Sequence, residues 1–489
     1  MTALPHLTSH FADDLPELSV PWQAEPGPDP ELVVLNDYLA TELGLDPDWL
    51  RTPEGIQFLL GRKLPEDARP VAQAYAGHQF GQFVPRLGDG RALLLGEIAD
   101  RAGHLRDIHL KGSGPTPFSR GGDGRAVIGP MLREYLVSEA VHALGIPTTR
   151  SLAVLTTGRK VVRGYVQPGA LLVRVASSLL RVGTFQYARL LDEDDKPEVL
   201  TRTADHAISR HDPELADSTD RYRLFFEAVL ERQVRLIAQW SRIGFIHGVM
   251  NTDNTTTSGE TIDYGPCAFL DAFDPATVYS SIDQRGRYAF QNQPAVIGWN
   301  LTRFAESLLP LIDPDFNQAA EILQPVMNSL GQRYREAWLV EMSKATGLPR
   351  TDISTEQAQL LDDLLELLNA HSPDLTRFHR LLAETTSPAD SPVLDLFPQE
   401  AAAEAAAVWL QRWWGRNPDT AAMRQTNPVY IPRNHLVDEA LKGAETGDYE
   451  LFRELLAAVT SPFERRTGWE RFEFPAPEDF GDFITYCGT

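Results

Sequence analysis

The residues whose types and spacing best suit chemistry lie in one stretch, from Phe245 to Asp274. Asp253 and Asn254 share one turn, and Asp263 lies in a second turn nine residues beyond Asn254. Oxygen ligands from two neighbouring turns suit Mg²⁺, which commonly binds protein carboxylates and substrate phosphates together. The stretch therefore predicts a phosphate-linked metal site with Asn254 and Asp263 as ligands. A turn-rich surface loop without chemistry is the alternative, because Asn, Asp and Gly also dominate ordinary turns.

Protein kinases carry similar residues in a similar order. Their H-R-D-x-x-x-x-N motif contains a catalytic aspartate and a metal-binding asparagine, and a later D-F-G supplies the second metal ligand. Here His247 and Asn254 have the same separation, and Asp263 begins a D-Y-G sequence. Val249 stands at the position of the kinase aspartate. The pattern predicts a metal site without the usual base, and Asp253 is the nearest replacement.

A glycine-rich segment and a lysine precede this stretch. Gly88-Asp-Gly90-Arg91 reads as the tight turn of a hairpin between strands at 84–87 and 92–98. Lys111 ends an alternating strand at 107–111, so the order is the kinase order of glycine loop and then strand lysine. Backbone N–H groups of the turn, together with Arg91 and Lys111, would suit a phosphate. A plain hairpin and a solvated lysine are the alternatives.

A second glycine-dense loop follows at Ser119–Arg125. Its Gly-Gly-Asp-Gly run would let the backbone approach a nucleotide at Gly124, with Asp123 free to accept a hydrogen bond from a hydroxyl or amine. A linker without a ligand is the alternative.

Residues 129–145 predict a helix, since a proline lies in its first turn and a glycine follows its end. A kinase needs a helix carboxylate to orient its strand lysine. Glu134 is the first candidate for that partner of Lys111, and Glu139 is the second. Both lie off the apolar stripe, so solvated side chains are the alternative.

Two arginines lie in or just after an apolar strand predicted at 170–176. Arg174 is inside that strand and Arg181 follows seven residues later. A buried guanidinium is costly unless its charge is met. A phosphate would meet it through two parallel hydrogen bonds, and a buried salt bridge would do so equally well.

Composition narrows the class of protein. The chain has 489 residues, 43% of them hydrophobic, and a net charge of −23. Such an acidic chain is a poor nonspecific binder of nucleic acids. Two cysteines make neither a disulfide framework nor a cysteine-rich zinc site. The N-terminus has no secretory pattern and no run reaches 18 apolar residues, so we expect a soluble cytoplasmic protein.

The organisation predicted around these motifs has four parts. Residues 1–70 form an acidic arm packed on the body, with helices at Pro30–Leu43 and Pro53–Leu60. Residues 71–176 form a β-rich lobe, which includes a second hairpin of strands at 151–157 and 160–167. Residues 177–430 form a helical lobe, helical from about Asp220 onward, and 431–489 form further helices and a tail. The remaining helices are predicted at 294–309, 315–346, 354–371, 373–385, 397–415 and 434–458.

Several long blocks together resemble the selenoprotein O family, a kinase-like group. They are YAGHQFGQFVPRLGDGR, DIHLKGSGPTPFSRGGDGRAVIGPMLREYLVSEAV, HGVMNTDN, TIDYGPCAFLDAF and NPVYIPRNH. The resemblance implies an α+β, protein-kinase-like fold of two lobes. It also implies ATP bound in an inverted orientation and AMP transfer to Ser, Thr or Tyr hydroxyls of client proteins. An ordinary phosphotransferase and a non-catalytic nucleotide-binding regulator are the alternatives.

The same resemblance assigns roles to residues. Asp253 would be the proton acceptor, Asn254 and Asp263 would hold Mg²⁺ or Mn²⁺, and Glu134 would pair with Lys111. The implied nucleotide contacts are Gly88, Gly90, Arg91, Lys111, Asp123, Gly124, Arg174 and Arg181. A monomer without nucleic-acid or membrane partners is expected, and the sequence does not distinguish ATP from UTP.

The two cysteines also bear on this resemblance. Some members of the family are thought to be controlled by a disulfide between the C-terminal tail and the activation segment. Cys487 lies in the tail, and Cys267 follows the D-Y-G sequence at a position where the family more usually has Phe. A buried Cys267 with a free tail thiol is the alternative.

Overall fold

The computed structural model describes residues 4–192, 197–481 and 483–485. It is an α+β structure in which an antiparallel sheet packs against a larger helical region. The strands are β1 (Ser19–Pro21), β2 (Glu31–Leu35), β3 (Val71–Gln73), β4 (Gly77–Gln79), β5 (Gln82–Val84), β6 (Ala92–Ala99), β7 (Leu105–Lys111), β8 (Ala126–Val127), β9 (Arg150–Arg163), β10 (Tyr165–Ala176), β11 (Phe245–Ile246) and β12 (Ala268–Phe269).

The main sheet has the order β1-β3-β6-β7-β10-β9-β2, and β8 pairs with β10. Its pairs are antiparallel throughout. β4 and β5 form a separate hairpin, and β11 pairs with β12. The central strands β7 and β10 therefore lie side by side and carry Lys111 and Arg174.

The helices follow in chain order. They are α1 (His10–Asp14), α2 (Asp37–Glu42), α3 (Pro47–Leu50), α4 (Pro53–Leu59), α5 (Ile128–Ala143), α6 (Val182–Leu191), α7 (Glu198–His211), α8 (Arg221–Ile243), α9 (Gln293–Ile312), α10 (Phe316–Asn328), α11 (Leu330–Ala345), α12 (Thr355–His371), α13 (Leu375–Leu382), α14 (Glu400–Trp414), α15 (Thr420–Arg424), α16 (Asn434–Glu445) and α17 (Glu450–Val459). A single 3₁₀ turn at Thr252–Asn254 holds the first of the two chemical turns.

Three apolar cores fix the site from different sides. α5 packs between β9 and β10 on one side and α16 and α17 on the other. The other face of the sheet is covered by the N-terminal arm, including α2 and α4. α6, α8 and α9 form a third core that extends to Val249 and Tyr264. The loops bearing Asp253 and Asp263 are therefore anchored in a close-packed interior.

The helix predicted at Pro30–Leu43 is wrong over its first half. Residues 31–35 form β2, which pairs with β9 and forms the edge of the sheet. Adjacent β-branched valines favour a strand at a sheet edge over a helix. The helix α2 begins only after Asn36, whose side chain accepts a hydrogen bond from the Leu39 N–H at 3.1 Å. The helix predicted at Pro53–Leu60 is confirmed as α4.

The hairpin predicted around Gly88–Arg91 is also wrong. β6 pairs with β7 and β3, while β5 pairs with β4. The turn is tied to β3 instead, because Asp89 N–H donates to Gln73 O at 2.9 Å and Asp89 Oδ2 accepts from Gln73 N–H at 3.0 Å.

The second predicted hairpin has its turn elsewhere. β9 runs unbroken from Arg150 to Arg163, and the chain reverses at Gly164, whose φ is +78°. Gly158 was expected to break the strand. It lies within β9, where an added Cβ would come within 2.6 Å of the Asp29 backbone. That close approach and a φ of +71° at this bulge of β9 both require glycine.

Most of the predicted helices are confirmed. The expected start of helical structure at Asp220 is late, since α6 and α7 precede it. The predictions at 315–346 and 434–458 each comprise two helices, α10 with α11 and α16 with α17. Within the described ranges, no helix combines the length and hydropathy needed to cross a membrane. The domain boundaries at 70, 176 and 430 stay predictions.

Candidate active site

A polar cleft of about 350 Å³ lies where the sheet meets the loops after β11. β7 and β10 supply its cationic wall, and the two chemical turns supply the opposite wall. It brings together ten residues singled out from the sequence: Gly88, Gly90, Arg91, Lys111, Asp123, Gly124, Arg174, Arg181, Asn254 and Asp263. Glu134 and Asp253 lie behind this lining and are buried.

Lys111 and Glu134 form a buried pair at the back of the cleft. Lys111 Nζ lies 2.5 Å from Glu134 Oε2 and 2.9 Å from Asp263 Oδ1. Solvated side chains, the alternative for both residues, are therefore wrong. Glu139 does not reach the lysine, because its carboxylate accepts from Arg150 Nε at 2.9 Å and from Asn36 Nδ2 at 2.7 Å.

Both arginines converge on the Asp263 carboxylate. Arg174 Nε donates to Glu134 Oε1 at 2.9 Å, and its Nη2 donates to Asp263 Oδ1 at 2.6 Å. Arg181 Nη1 donates to Asp263 Oδ2 at 2.9 Å and to the Asp253 carbonyl at 2.8 Å. Arg174 thus forms the buried salt bridge that was one of its two interpretations, while it also lines the cleft.

This cluster of five charged groups carries surplus positive charge. Lys111, Arg174 and Arg181 face Glu134 and Asp263. Burial alone would raise the pKa of the Asp263 carboxyl, but the three cations outweigh burial and hold that pKa well below its usual range. The carboxylate is therefore ionised, and the net positive charge of the cluster favours an anionic ligand in the cleft.

The backbone around Asp263 is held in an uncommon conformation. Asp263 has φ of +61°, in the left-handed region that few non-glycine residues adopt. The imidazole Nε2 of His247 donates to the preceding carbonyl, that of Ile262, at 2.7 Å. Tyr264, next in the D-Y-G sequence, is buried with its hydroxyl against Thr148. These contacts orient the Asp263 carboxylate toward the cations.

The two predicted metal ligands fit a hard cation. Asn254 Nδ2 donates to the Val249 carbonyl at 2.8 Å, which leaves the amide oxygen as its acceptor. Together with the ionised Asp263, this gives two oxygen ligands. Among the described residues, no group of three or more His, Cys, Asp or Glu side chains is arranged to hold a metal ion. A two-ligand set suits Mg²⁺ or Mn²⁺ that completes its shell with phosphate oxygens and water.

Asp253 is buried beside this site. Its Oδ2 accepts from Gln79 Nε2 at 3.1 Å, and its Oδ1 has no hydrogen-bond partner. Burial raises the pKa of this carboxyl to about 6. An unpaired carboxylate oxygen with a pKa near neutrality has the properties of a general base.

Two glycines are required by close packing. Gly88 has φ of +112°, and a Cβ there would lie 2.6 Å from the Phe118 ring. At Gly124, with φ of +63°, a Cβ would lie 2.1 Å from the Gly114 carbonyl oxygen. Both glycine-rich segments thus fold onto the 112–118 loop, and this packing fixes one wall of the cleft.

The sequence predicted a free Asp123 carboxylate, but in the structure that carboxylate is already hydrogen-bonded. It accepts from Arg163 Nη1 at 3.0 Å and Nη2 at 2.6 Å, and from Arg125 N–H at 3.1 Å. Arg163 belongs to the long strand β9, which reaches the cleft because it continues past the turn predicted near Gly158. A nucleotide would meet an Asp123–Arg163 pair rather than a lone carboxylate.

A buried pair in the cleft was missed from the sequence. His109 Nε2 lies 3.1 Å from Asp89 Oδ2, and both residues line the cleft. Nearby, the Tyr75 ring stacks on Arg181 with 4.7 Å from the guanidinium carbon to the ring centroid. Two signals could have suggested the pair: Asp89 lies between two glycines, and His109 shares a strand face with Lys111.

Cys267 is buried, and burial raises the pKa of its thiol to about 11. Its neighbour Pro266 accepts a hydrogen bond from the Thr485 hydroxyl at 2.7 Å, so the chain near the C-terminus contacts this segment. Cys487 lies outside the described residues, and its pairing with Cys267 stays a prediction.

The fold and the cleft define an α+β protein whose site suits a phosphate-bearing ligand and a hard cation. A family model described as "Protein adenylyltransferase SelO" matches residues 2–460. The chain belongs to this SelO family.

Relatives match over nearly their whole length. A "Protein nucleotidyltransferase YdiU" from Mycolicibacterium smegmatis is 58% identical over 486 residues, covering 99% of this chain and 98% of the relative. The protein of the same name from Mycobacterium sp. (strain KMS) is 57% identical over 483 residues, with 99% of each chain covered. One from Cereibacter sphaeroides (strain KD131) is 53% identical over 483 residues, with 98% of each covered.

Proposed function

We propose that this protein transfers AMP from ATP to Ser, Thr or Tyr hydroxyls of client proteins, within a kinase-like fold of two lobes. Membership of the SelO family supports the reaction class. The observation that carries the proposal is the ionised Asp263 among three cations, with the unpaired carboxylate oxygen of Asp253 nearby. Val249 at the kinase base position argues against ordinary γ-phosphate transfer.

In the proposed reaction ATP binds inverted, with its α-phosphorus toward Asn254 and Asp263 and its terminal phosphates toward the cations. Lys111, Arg174 and Arg181 supply positive charge to the phosphate oxygens, and Glu134 holds Lys111 and Arg174 in position. A Mg²⁺ or Mn²⁺ ion held by Asn254 and Asp263 would supply Lewis-acid stabilisation of phosphoryl charge. Gly88, Gly90, Arg91, Asp123 and Gly124 complete the proposed nucleotide contacts.

Asp253 is the proposed proton acceptor. The client hydroxyl loses its proton to the Asp253 carboxylate as its oxygen bonds to the α-phosphorus. The bond between that phosphorus and the oxygen bridging to the β-phosphorus breaks, and pyrophosphate leaves with the electron pair. The net positive charge of the Lys111, Arg174 and Arg181 cluster stabilises the negative charge that develops on the leaving group.

Label transfer from ATP tests the reaction class. Protein labelled from α-³²P-ATP and unlabelled from γ-³²P-ATP is the expected result. We expect Lys111→Ala and Asp263→Ala each to lower the transfer rate at least about hundredfold, because charge stabilisation at the phosphoryl group is lost. Label from γ-³²P-ATP would indicate an ordinary phosphotransferase. No label from either nucleotide would indicate a non-catalytic regulator.

A further inference from the structure

The β4–β5 hairpin, whose strands are joined by the two-residue turn Phe80-Gly81, covers the turn that carries Asp253. Besides the bond from Gln79 to Asp253, His78 N–H donates to Thr252 Oγ1 at 2.6 Å and Phe80 N–H donates to Asn251 Oδ1 at 3.1 Å. A Cβ added to Gly77 would lie 2.7 Å from Asp253 Oδ1. The β4–β5 hairpin is therefore packed directly over the turn that carries the candidate base.

The tip of this hairpin has an unusual composition. Phe80 and Gly81 have φ of +52° and +82°, which fits a type I′ turn. Phenylalanine is rare in that conformation, and such residues cluster at functional sites. Phe80 is 36% exposed and Phe83 is 43% exposed. Two aromatic side chains thus face solvent beside the catalytic turn.

Arginines surround the hairpin. The Arg287 guanidinium carbon lies 4.9 Å from the Trp299 ring centroid, and Arg303 lies 5.2 Å from the same ring. Arg303 pairs with Glu306 at 2.6 Å. Arg287 forms no ion pair within the described residues, and its Nε has no hydrogen-bond partner. Arg287 lies beside Gly81 and is not in the lining of the cleft.

We propose that this surface docks the segment of a client protein that carries the acceptor hydroxyl, and that it selects an acidic segment. The proposal rests on the proposed function. The surface, called here the hairpin face, comprises His78, Phe80, Phe83, Arg287, Trp299 and Arg303.

Charge and composition argue for this occupant. The Arg287 guanidinium contacts Tyr288 and Trp299 but forms no ion pair among the described residues, so its charge can attract a carboxylate, which it would bind through charge-assisted hydrogen bonds. Aromatic side chains and arginine are also the residues that dominate binding energy at protein interfaces. The six residues of the hairpin face include two arginines and no carboxylate, on a chain of net charge −23. The Phe80 and Phe83 rings would pack on apolar side chains of the bound segment.

Peptide binding tests the proposal without requiring catalysis. Two fluorescent peptides share one central serine and one flanking leucine, and differ only in having glutamates or lysines around them. We expect fluorescence anisotropy on the full chain to show the glutamate peptide binding about tenfold more tightly. Arg287→Gln and Phe83→Ser should each weaken its binding about five- to tenfold, a larger loss than most interface residues cause.

Matched controls come from exposed residues elsewhere. Tyr38→Ser removes an aromatic side chain that is 91% exposed on α2, and Arg235→Gln removes an exposed arginine of α8. Both should bind the glutamate peptide within about twofold of the unaltered protein, well below a hot-spot effect. Equal affinity for the two peptides would overturn the proposal, as would unchanged binding by both hairpin-face variants. Peptide preference without α-label transfer would contradict the proposed function and still support the docking surface.

Discussion

At the scale of single residues, Asp253 is the titratable group whose burial bears most directly on the proposed reaction. Burial raises the pKa of its carboxyl to about 6, and one carboxylate oxygen has no partner. A base must be deprotonated to accept a proton. If Asp253 is the base, kcat/KM rises about tenfold per pH unit below pH 6 and levels off above it.

Replacing Asp253 by Asn should separate activity from stability. We expect AMP transfer to fall about 10²- to 10⁴-fold, the usual contribution of a general base. A buried group with a raised pKa contributes stability below its unfolded pKa and loses it as pH rises through about 6. The neutral amide avoids that loss, so Asp253→Asn should be more stable than the unaltered protein at pH 8, by at most about 3 kcal/mol.

Urea unfolding at pH 5 and pH 8 measures this difference. The advantage of Asp253→Asn should fall to about half at pH 5 and vanish only below the unfolded pKa near 4, because the carboxyl of the unfolded chain is still ionised at pH 5. A variant that keeps its transfer rate would remove Asp253 from the mechanism. An advantage equal at both pH values would contradict the raised pKa.

Part of the site could be predicted from residue types and their order alone. The kinase order of Gly88–Arg91, Lys111 and Glu134 predicted the lysine–glutamate contact that the structure contains. The Asp89–His109 pair was missed because its members are 20 residues apart and belong to no motif shared with kinases. Asp123 was read as free because nothing local indicated that β9 would bring Arg163 to it.

At the scale of elements, α5 is the helix that fixes the cationic wall. It carries Glu134 toward the cleft and Glu139 toward Arg150, and both carboxylates are buried. We predict that Glu134→Gln lowers AMP transfer at least about hundredfold, because Lys111 and Arg174 lose the charge that orients them. Removing the Glu134 charge leaves Lys111 and Arg174 with Asp263 as their shared carboxylate partner, and removing the Glu139 charge takes the close partner of Arg150, so each change should destabilise the fold by up to about 3–5 kcal/mol.

Glu139→Gln is the matched control on the same helix. It removes a buried ion-paired carboxylate that has no contact with Lys111, so its folded fraction should keep near-normal transfer. Rates normalised to active folded protein by circular dichroism distinguish the two variants. Equal losses of normalised transfer would mean that Glu134 acts only through stability.

Two elements also show where tertiary contacts override the local sequence signals for turns and helices. Asp89-Gly90 is a strong hairpin signal, yet the hairpin lies at Phe80-Gly81, where phenylalanine occupies a position that favours Asn, Asp or Gly. Packing of the Phe80 ring at 5.1 Å from the Tyr288 ring helps to hold that conformation. Tertiary contacts likewise make residues 31–35 a strand, because β9 offers them an edge.

At the scale of the whole molecule, an acidic chain concentrates positive charge in one cleft. Three cations already occupy the oxygens of Asp263, so a divalent cation alone meets repulsion and only two protein ligands. ATP would draw the cations to its phosphates and add ligands of its own. We therefore predict that Mn²⁺ binds at least about tenfold more tightly when a non-hydrolysable ATP analogue is present.

Electron paramagnetic resonance of free Mn²⁺ measures this coupling, after correction for Mn²⁺ bound to the analogue itself. Asn254→Ala should weaken metal binding in the ternary complex without removing the charge cluster. Equally tight Mn²⁺ binding with and without the analogue would contradict the two-ligand site.

The orientation of ATP is the central claim, and a crystal structure with a non-hydrolysable ATP analogue and Mg²⁺ tests it most directly. The account predicts the α-phosphate beside Asn254 and Asp263, the terminal phosphate deeper among Lys111, Arg174 and Arg181, and the adenine toward solvent. Adenine buried against the sheet, with the terminal phosphate directed outward past Asp253, would contradict it.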